Sequence, residues 1–142
     1  MFSKILAFFA VCAAVVFLAS AGEPDTVYQT SAPFYSYSLS DTITNTENDT
    51  IEIPARLVSD WSGGWHVQAT SLSGTVQLAN TVEESLSYNG TDWVSVDTLN
   101  NSAAGTKRAE QDRVYGFRQR IVIDGSGTQS TRYTVYFVGK KD

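Results

Sequence analysis

Beyond Gly22 the chain contains no window of about 11 residues in which apolar side chains recur with the 3.6-residue period of a helix. The recurring period is two. Phe34 to Ser40 sets Tyr35, Tyr37 and Leu39 against Ser36 and Ser38, and Trp65 to Ser73 sets Trp65, Val67 and Ala69 against His66, Gln68, Thr70 and Leu72. Arg113 to Asp124 sets Tyr115, Phe117, Gln119, Ile121 and Ile123 against Arg118, Arg120 and Asp124. Arg132 to Val138 then sets Tyr133, Val135 and Phe137 against Arg132, Thr134 and Tyr136. This alternation belongs to strands with one buried and one solvated face. Ile51 and Ile53 flank Glu52 in a short strand stopped by Pro54, and Arg56 to Trp61 is another strand, ended by Ser62-Gly63-Gly64. Val76 to Tyr88 (one bulged strand or two short ones) and Trp93 to Leu99 bring the total to about eight, with turn signals roughly every 8–12 residues. Asp41 to Thr50 and Asn100 to Asp112 read as polar loops, Gly74-Thr75 and Gly125-Ser126-Gly127 as turns. Asn89-Gly90 is the strongest hairpin signal, because a type I′ turn needs positive φ at both central residues. The expected fold is all-β: a single antiparallel β-sandwich, jelly-roll or Ig-like, over residues 34–142.

Residues 1–22 have the make-up of a targeting segment. Lys4 precedes an unbroken apolar run of 15 residues, Ile5 to Ala19, and Ala19-Ser20-Ala21 is a small-x-small cleavage signal. The run is shorter than the ~20 residues that span a bilayer, though Phe2 and Ser20 to Gly22 extend it. Both a cleaved signal peptide and a retained N-terminal anchor helix, touching membrane through residues 2–22, are open. Cys12 lies inside the apolar run with no lipobox ending at it. Cleavage after Ala21 leaves 121 residues and no cysteine. Stability in an oxidising compartment then rests on core packing alone, which a domain of this size can supply. Residues 23–33, between Pro24 and Pro33, read as a linker or an ordered arm.

Charge narrows the partners. The net charge is −5 over 142 residues and the isoelectric point is near 4.7, which argues against nucleic acid, whose phosphates need a basic face. The charges are also divided along the chain. Glu23 to Gly105 holds eleven acids and one base, Arg56, whereas Lys107 to Asp142 holds four acids and eight bases. Two readings follow. The halves pair in space and neutralise each other across a sheet, or the subunit is dipolar and docks head-to-tail on copies of itself through Arg113, Arg118, Arg120 and Arg132.

Residues that carry chemistry are sparse. Glu83-Glu84 is the only adjacent acidic pair, and in a strand the two point to opposite faces, where they cannot act on one bond. His66 is the only histidine and no G-x-S-x-G elbow accompanies it. Asp92 and Asp97 match no calcium-loop spacing, and Gly125-Ser126-Gly127 has no helix behind it to make a phosphate loop. No cofactor or metal is expected, nor an enzyme. Trp61, Trp65 and Trp93 are the candidate ligand or surface contacts, since exposed indoles stack on sugar rings. Trp65 alternates with Val67 and Ala69 as a core residue would, whereas Trp61 lies beside Ser62-Gly63-Gly64. Asn48, Asn89 and Asn100 each open an Asn-x-Ser/Thr sequon.

Ser87-Tyr88-Asn89-Gly90-Thr91-Asp92-Trp93-Val94 resembles the S-x-(D/N)-G-x-x-W hairpin of many bacteriophage virion β-sandwich proteins and of discoidin-like (F5/8 type C) domains. Tyr115 to Ile123 followed by Gly127-Thr128 resembles the later strand pair of the small phage proteins. The match covers roughly residues 65–140, and its motifs encode turns and packing. The resemblance implies a non-catalytic β-sandwich that decorates or assembles a particle, or binds a surface, and it supplies no catalytic residue. Phage capsid proteins usually lack export signals, and the discoidin pattern has a terminal cysteine pair that is absent here. The expected function is therefore a structural, exported or membrane-anchored β-sandwich, a homo-oligomer or a partner of other virion or cell-surface proteins. The alternative is a secreted carbohydrate- or surface-binding module.

Overall fold

The computed structural model describes residues 25–31, 34–53, 61–111 and 116–141. The expected signal or anchor at residues 1–22, Cys12, Arg113, Tyr115 and most of the strand expected at 56–61 lie outside them. Nine strands are present among the described residues: β1 (Asp25–Ser31), β2 (Phe34–Thr44), β3 (Asn48–Ile53), β4 (Trp61–Gly74), β5 (Leu78–Ser85), β6 (Trp93–Thr98), β7 (Gly105–Gln111), β8 (Arg118–Gly125) and β9 (Gln129–Lys141). They form a five-stranded sheet in the order β1-β2-β9-β4-β7 and a four-stranded sheet in the order β3-β8-β5-β6. Every pairing is antiparallel. β2 pairs with β9, β3 with β8, β4 with β7 and β5 with β6, so the chain doubles back on itself as one nested ribbon. Wrapped into two sheets, that ribbon is a jelly roll, which decides between the two sandwich types. The segment 23–33 contributes β1, which adds to the edge of the jelly roll beside β2. No helix of the described residues is long and apolar enough to cross a membrane.

The period-two pattern sets the core. Tyr37, Leu39 and Ile43 of β2, Tyr133, Val135 and Phe137 of β9, and Trp65, Val67 and Ala69 of β4 face Ile51, Ile53, Ile121, Ile123, Leu78 and Val82 of the other sheet. Register aligns Tyr37, Phe137, Trp65 and Ala109 in one row across four strands. Trp65 and Phe137 meet ring to ring at 5.2 Å and 60°, a tilted contact worth about 0.5–1.5 kcal/mol beyond the buried area. Two polar bonds cross the core. Trp65 Nε1 donates to Gln119 Oε1 at 2.8 Å, and Tyr133 donates its hydroxyl proton to Asp49 Oδ2. Burial, and then the Asp49 carboxylate, push the Tyr133 phenol far above its ordinary range, so it is a permanent donor.

Several local expectations give way to tertiary packing. Gly63 and Gly64 do not end a strand; they lie inside β4, between β7 and β9. A Cβ on Gly63 would meet Phe137 Cζ and Val138 O at 2.9 Å each, so the glycine makes room for the core rather than for a turn. The polar stretch Asp41 to Thr50 is mostly strand, because Ile43 is buried and continues the β2 alternation. Only the short turn at Asn45, with φ 52°, separates β2 from β3. Most of the loop expected from Asn100 to Asp112 is the edge strand β7. Among the described side chains of β7 Ala109 alone is buried, so the hydrophobic alternation is too thin to see. Phe117 was expected to face inward with Ile121, yet it is exposed, because β8 starts only at Arg118. The stretch expected as one bulged strand or two short ones is a single strand, β5, in continuous register with β8; the shift between Val82 and Glu83 leaves Val96 of β6 as the extra residue. Glu84, on the inner face, is buried: Gly116 N donates to its Oε2 at 3.0 Å and Gln119 Nε2 to its Oε1 at 3.2 Å.

Candidate binding face

Trp65 and Trp93 go to structural positions. Trp65 is fully buried, which removes it as a surface contact; alternation with Val67 and Ala69 carries it inward. Trp93 is half-buried and donates Nε1–H to Gly90 O at 2.7 Å. The Arg120 guanidinium lies over its ring, 4.0 Å from the centroid, so one indole face is already occupied. Trp61 opens β4 opposite Lys141, and its side chain lies outside the described residues.

The hairpin motif around Trp93 closes its own loop. Asn89 does not take positive φ, so the turn is not type I′. Gly90 N donates to Ser87 O at 3.2 Å, and Gly90, at φ 65°, follows the turn as its exit residue. Ser87 N and Ser85 Oγ donate to Asp92 Oδ1 at 3.0 and 2.8 Å, and Thr91 N donates to Ser87 Oγ at 3.1 Å. Bonds from Ser87 first and Ser85 second hold the Asp92 carboxyl below the usual carboxylate range. A depressed folded pKa contributes stability that is complete above the unfolded value of about 4 and is lost as pH falls through the folded one. In acid below about pH 4 the melting temperature of the protein should therefore fall more steeply than that of Asp92→Asn, which lacks the titrating group. Parallel slopes in a thermal melt series would contradict this role for the loop carboxylate.

The arginines are divided. Arg118 pairs with Glu52, and Arg120 Nε meets Glu83 Oε2 at 2.6 Å. Both are on β8, which lies between the acid-bearing strands β3 and β5. The acid-first, base-second division of the sequence is thus a consequence of nested pairing, which brings first-half strands beside second-half strands. Two of the four arginines expected at subunit contacts are engaged inside the sheet. Arg132 is exposed on the opposite sheet.

That opposite sheet carries the face that single-residue reasoning missed. The outward residues of β2, β9, β4 and β7 align as rows: Ser38, Tyr136, His66 and Arg108; then Ser40, Thr134, Gln68 and Thr106; then Thr42, Arg132 and Thr70. Four strands span about 14 Å across the rows. Ser40 Oγ and Thr134 Oγ1 share a hydrogen bond of 2.8 Å. Tyr136 is 38% exposed in the middle of the face. His66 is half-buried beside it, and its imidazole makes no hydrogen bond with the described residues. The signal was present in β2, where Ser36, Ser38, Ser40, Thr42 and Thr44 occupy every second position. The face offers hydroxyls, an amide, an imidazole, two guanidinium groups and one aromatic ring. Among the described residues no three His, Cys, Asp or Glu side chains gather into a metal-holding group.

No family model matches the chain, and no curated protein matches it in sequence. Among solved structures it is similar to PirA, with TM-score 0.52 and 15% identity, over 70% of this chain and 92% of that one. It is also similar to the Clostridium thermocellum endo-1,4-β-D-xylanase 10B CBM22-1–GH10 modules complexed with xylohexaose, with TM-score 0.50 and 12% identity. That match takes in 83% of this chain and spans about a quarter of the other, 25%. At these identities the likeness is one of fold. It agrees with the β-sandwich implied by the hairpin resemblance, and it specifies no family.

Proposed function

We propose that this chain is a non-catalytic, exported β-sandwich module that binds a polysaccharide, or a comparably hydroxyl-rich surface, through the outer face of the five-stranded sheet. The observation that carries this reading is the row Ser38, Tyr136, His66 and Arg108, with a second row of hydroxyl and amide groups beside it. Sugars present apolar C–H faces ringed by hydroxyls. An exposed aromatic ring among hydrogen-bonding side chains is complementary to both. A flat strand lattice repeats that chemistry over several sugar units, so a polymer engages it better than a free monosaccharide. Export rests on the apolar run and cleavage signal of residues 1–22.

Tyr136→Ala tests the reading. Losing one stacking ring removes about 1.4 kcal/mol, roughly a tenfold weaker Kd. The fold should hold, since an exposed substitution shifts stability by only about 0.5 kcal/mol. Affinity electrophoresis in gels containing soluble polysaccharides reads this directly. The reading fails if no polysaccharide retards the protein, or if Tyr136→Ala is retarded equally.

A second reading, assembly with copies of itself or with other proteins of a phage or cell-surface particle, is favoured by exposed apolar residues at one end of the sandwich. Leu86 and Tyr88 in the β5–β6 loop and Phe117 beside it are 59%, 76% and 52% exposed. Head-to-tail docking through the basic strand is weakened by the pairing of Arg118 and Arg120. An oligomer in light scattering that dissociates on Tyr88→Ser would move the account to this reading.

A further inference from the structure

At the end of the sandwich opposite the Asn89 loop, the turns preceding β5, following β6 and following β8 border a shallow, open recess of about 200 Å³. It is separate from the outer face of the five-stranded sheet. Leu78 and Ala79 supply its apolar part; Gln77, Asn100, Ser102 and Ser126 supply amides and hydroxyls, and no charged side chain lines it. A neutral lining of this kind selects a neutral ligand, because an ion would leave water with no counter-charge to meet it. The volume is below the roughly 300–1,000 Å³ of drug-sized pockets, which limits the occupant to about one ring.

The frame of the recess is rigid. Leu78 and Asn101 exchange backbone hydrogen bonds of 2.8 and 2.9 Å, and Leu99 N donates to Asn80 O at 2.9 Å. Asn80 Nδ2 donates to Asn101 Oδ1 at 2.9 Å, and Asn101 Nδ2 to Gly105 O at 3.1 Å. On the other side Gln129 Nε2 donates to Gln77 O at 2.6 Å and Ser126 O at 2.8 Å. Three amides, Asn80, Asn101 and Gln129, are thus spent on holding the turns. The Gln77 and Asn100 side-chain NH₂ groups and the Ser102 hydroxyl keep donors that no described residue accepts, and the Ser126 hydroxyl has only a 3.5 Å contact with Gln77 Oε1. Behind this wall, Asn80 Oδ1 is a buried side-chain oxygen with no partner among the described residues. An orphan acceptor of that kind is unusual in a folded interior. Asn80 is not among the residues that line the recess, so this oxygen belongs to the frame and is not a ligand contact.

We infer that this recess is a binding site for a neutral polyhydroxylated ring, a single sugar unit, distinct from the face proposed above. Donors carried on a braced backbone frame and a small apolar wall match the hydroxyls and C–H face of such a ring. The inference stands whether or not the sheet face binds polymer.

The test is an amide-resolved NMR titration of the full chain with glucose, galactose, xylose and N-acetylglucosamine, each to about 20 mM, since a one-ring ligand in such a site has a Kd of the order of millimolar. Saturable shifts are expected at Gln77, Asn100, Ser102 and Ser126 with at least one sugar. They should vanish in Ser102→Trp, which fills the recess from an exposed loop position, and shrink at least threefold in Gln77→Leu, which removes a free donor and leaves the backbone bonds in place. Tyr136→Ala should titrate as the unaltered protein does, which separates this site from the sheet face. No saturable shift at these residues with any of the four sugars overturns the inference, and so do shifts that persist unchanged in both Ser102→Trp and Gln77→Leu.

Discussion

Trp65→Ala is expected to lower the stability of the domain by about 3–5 kcal/mol, a large part of the 5–15 kcal/mol that a whole fold is usually worth. The indole is fully buried. It packs on Phe137 at 5.2 Å and joins the two sheets through the 2.8 Å bond to Gln119. Deleting it opens a cavity in the row shared by Tyr37, Phe137 and Ala109, and at the same time strips Gln119 Oε1 of its donor. Trp93, half-buried in its own loop, does not have this position. Urea unfolding followed by circular dichroism measures it. A shift below about 1 kcal/mol would mean that the indole is not held in the core.

Gln119→Leu is the second large effect, expected at about 2–4 kcal/mol with little change in volume. Gln119 is fully buried. Its amide accepts from Trp65 Nε1 and donates to Glu84 Oε1, so it links one sheet to a buried carboxylate on the other. Leucine would fill the space yet leave the indole N–H and one carboxylate oxygen without that partner inside the protein, and each orphaned group costs about 1–3 kcal/mol. Trp65→Phe should cost less in the Gln119→Leu background than alone, because the indole N–H it removes is already unpaired there. A double-mutant cycle by denaturant melts reads this coupling; simple additivity would show that the bond across the sheets carries no net stability.

How far the fold was legible follows from which residues carry a local signature. Trp65-Val67-Ala69, Ile121-Ile123 and Tyr133-Val135-Phe137 alternate strictly, and each lies on the core face as its pattern requires. Gly63-Gly64 carries the same local mark as a turn, and only the approach of Phe137 and Val138 from the neighbouring strand shows its use. β7 is an edge strand with one buried side chain among charged neighbours, so periodicity has little to detect. Strand order is a long-range property, and the division of charge was its visible trace: Glu52 and Glu83 in the first half meet Arg118 and Arg120 in the second. Trp65 and Trp93 are used for packing and loop closure, while the exposed ring on the sheet belongs to Tyr136.

The proposed binding surface is the outer face of β2, β9, β4 and β7. It is tested most directly by mapping the footprint of a retained polysaccharide on the full chain by hydrogen–deuterium exchange. Slowed backbone-amide exchange is expected at Ser38, Thr134, Tyr136, His66 and Gln68, with β3, β5 and β8 unchanged. Protection centred instead on Trp93, Arg120 and Glu83 of the other sheet would contradict it, as would a footprint confined to Leu86, Tyr88 and Phe117.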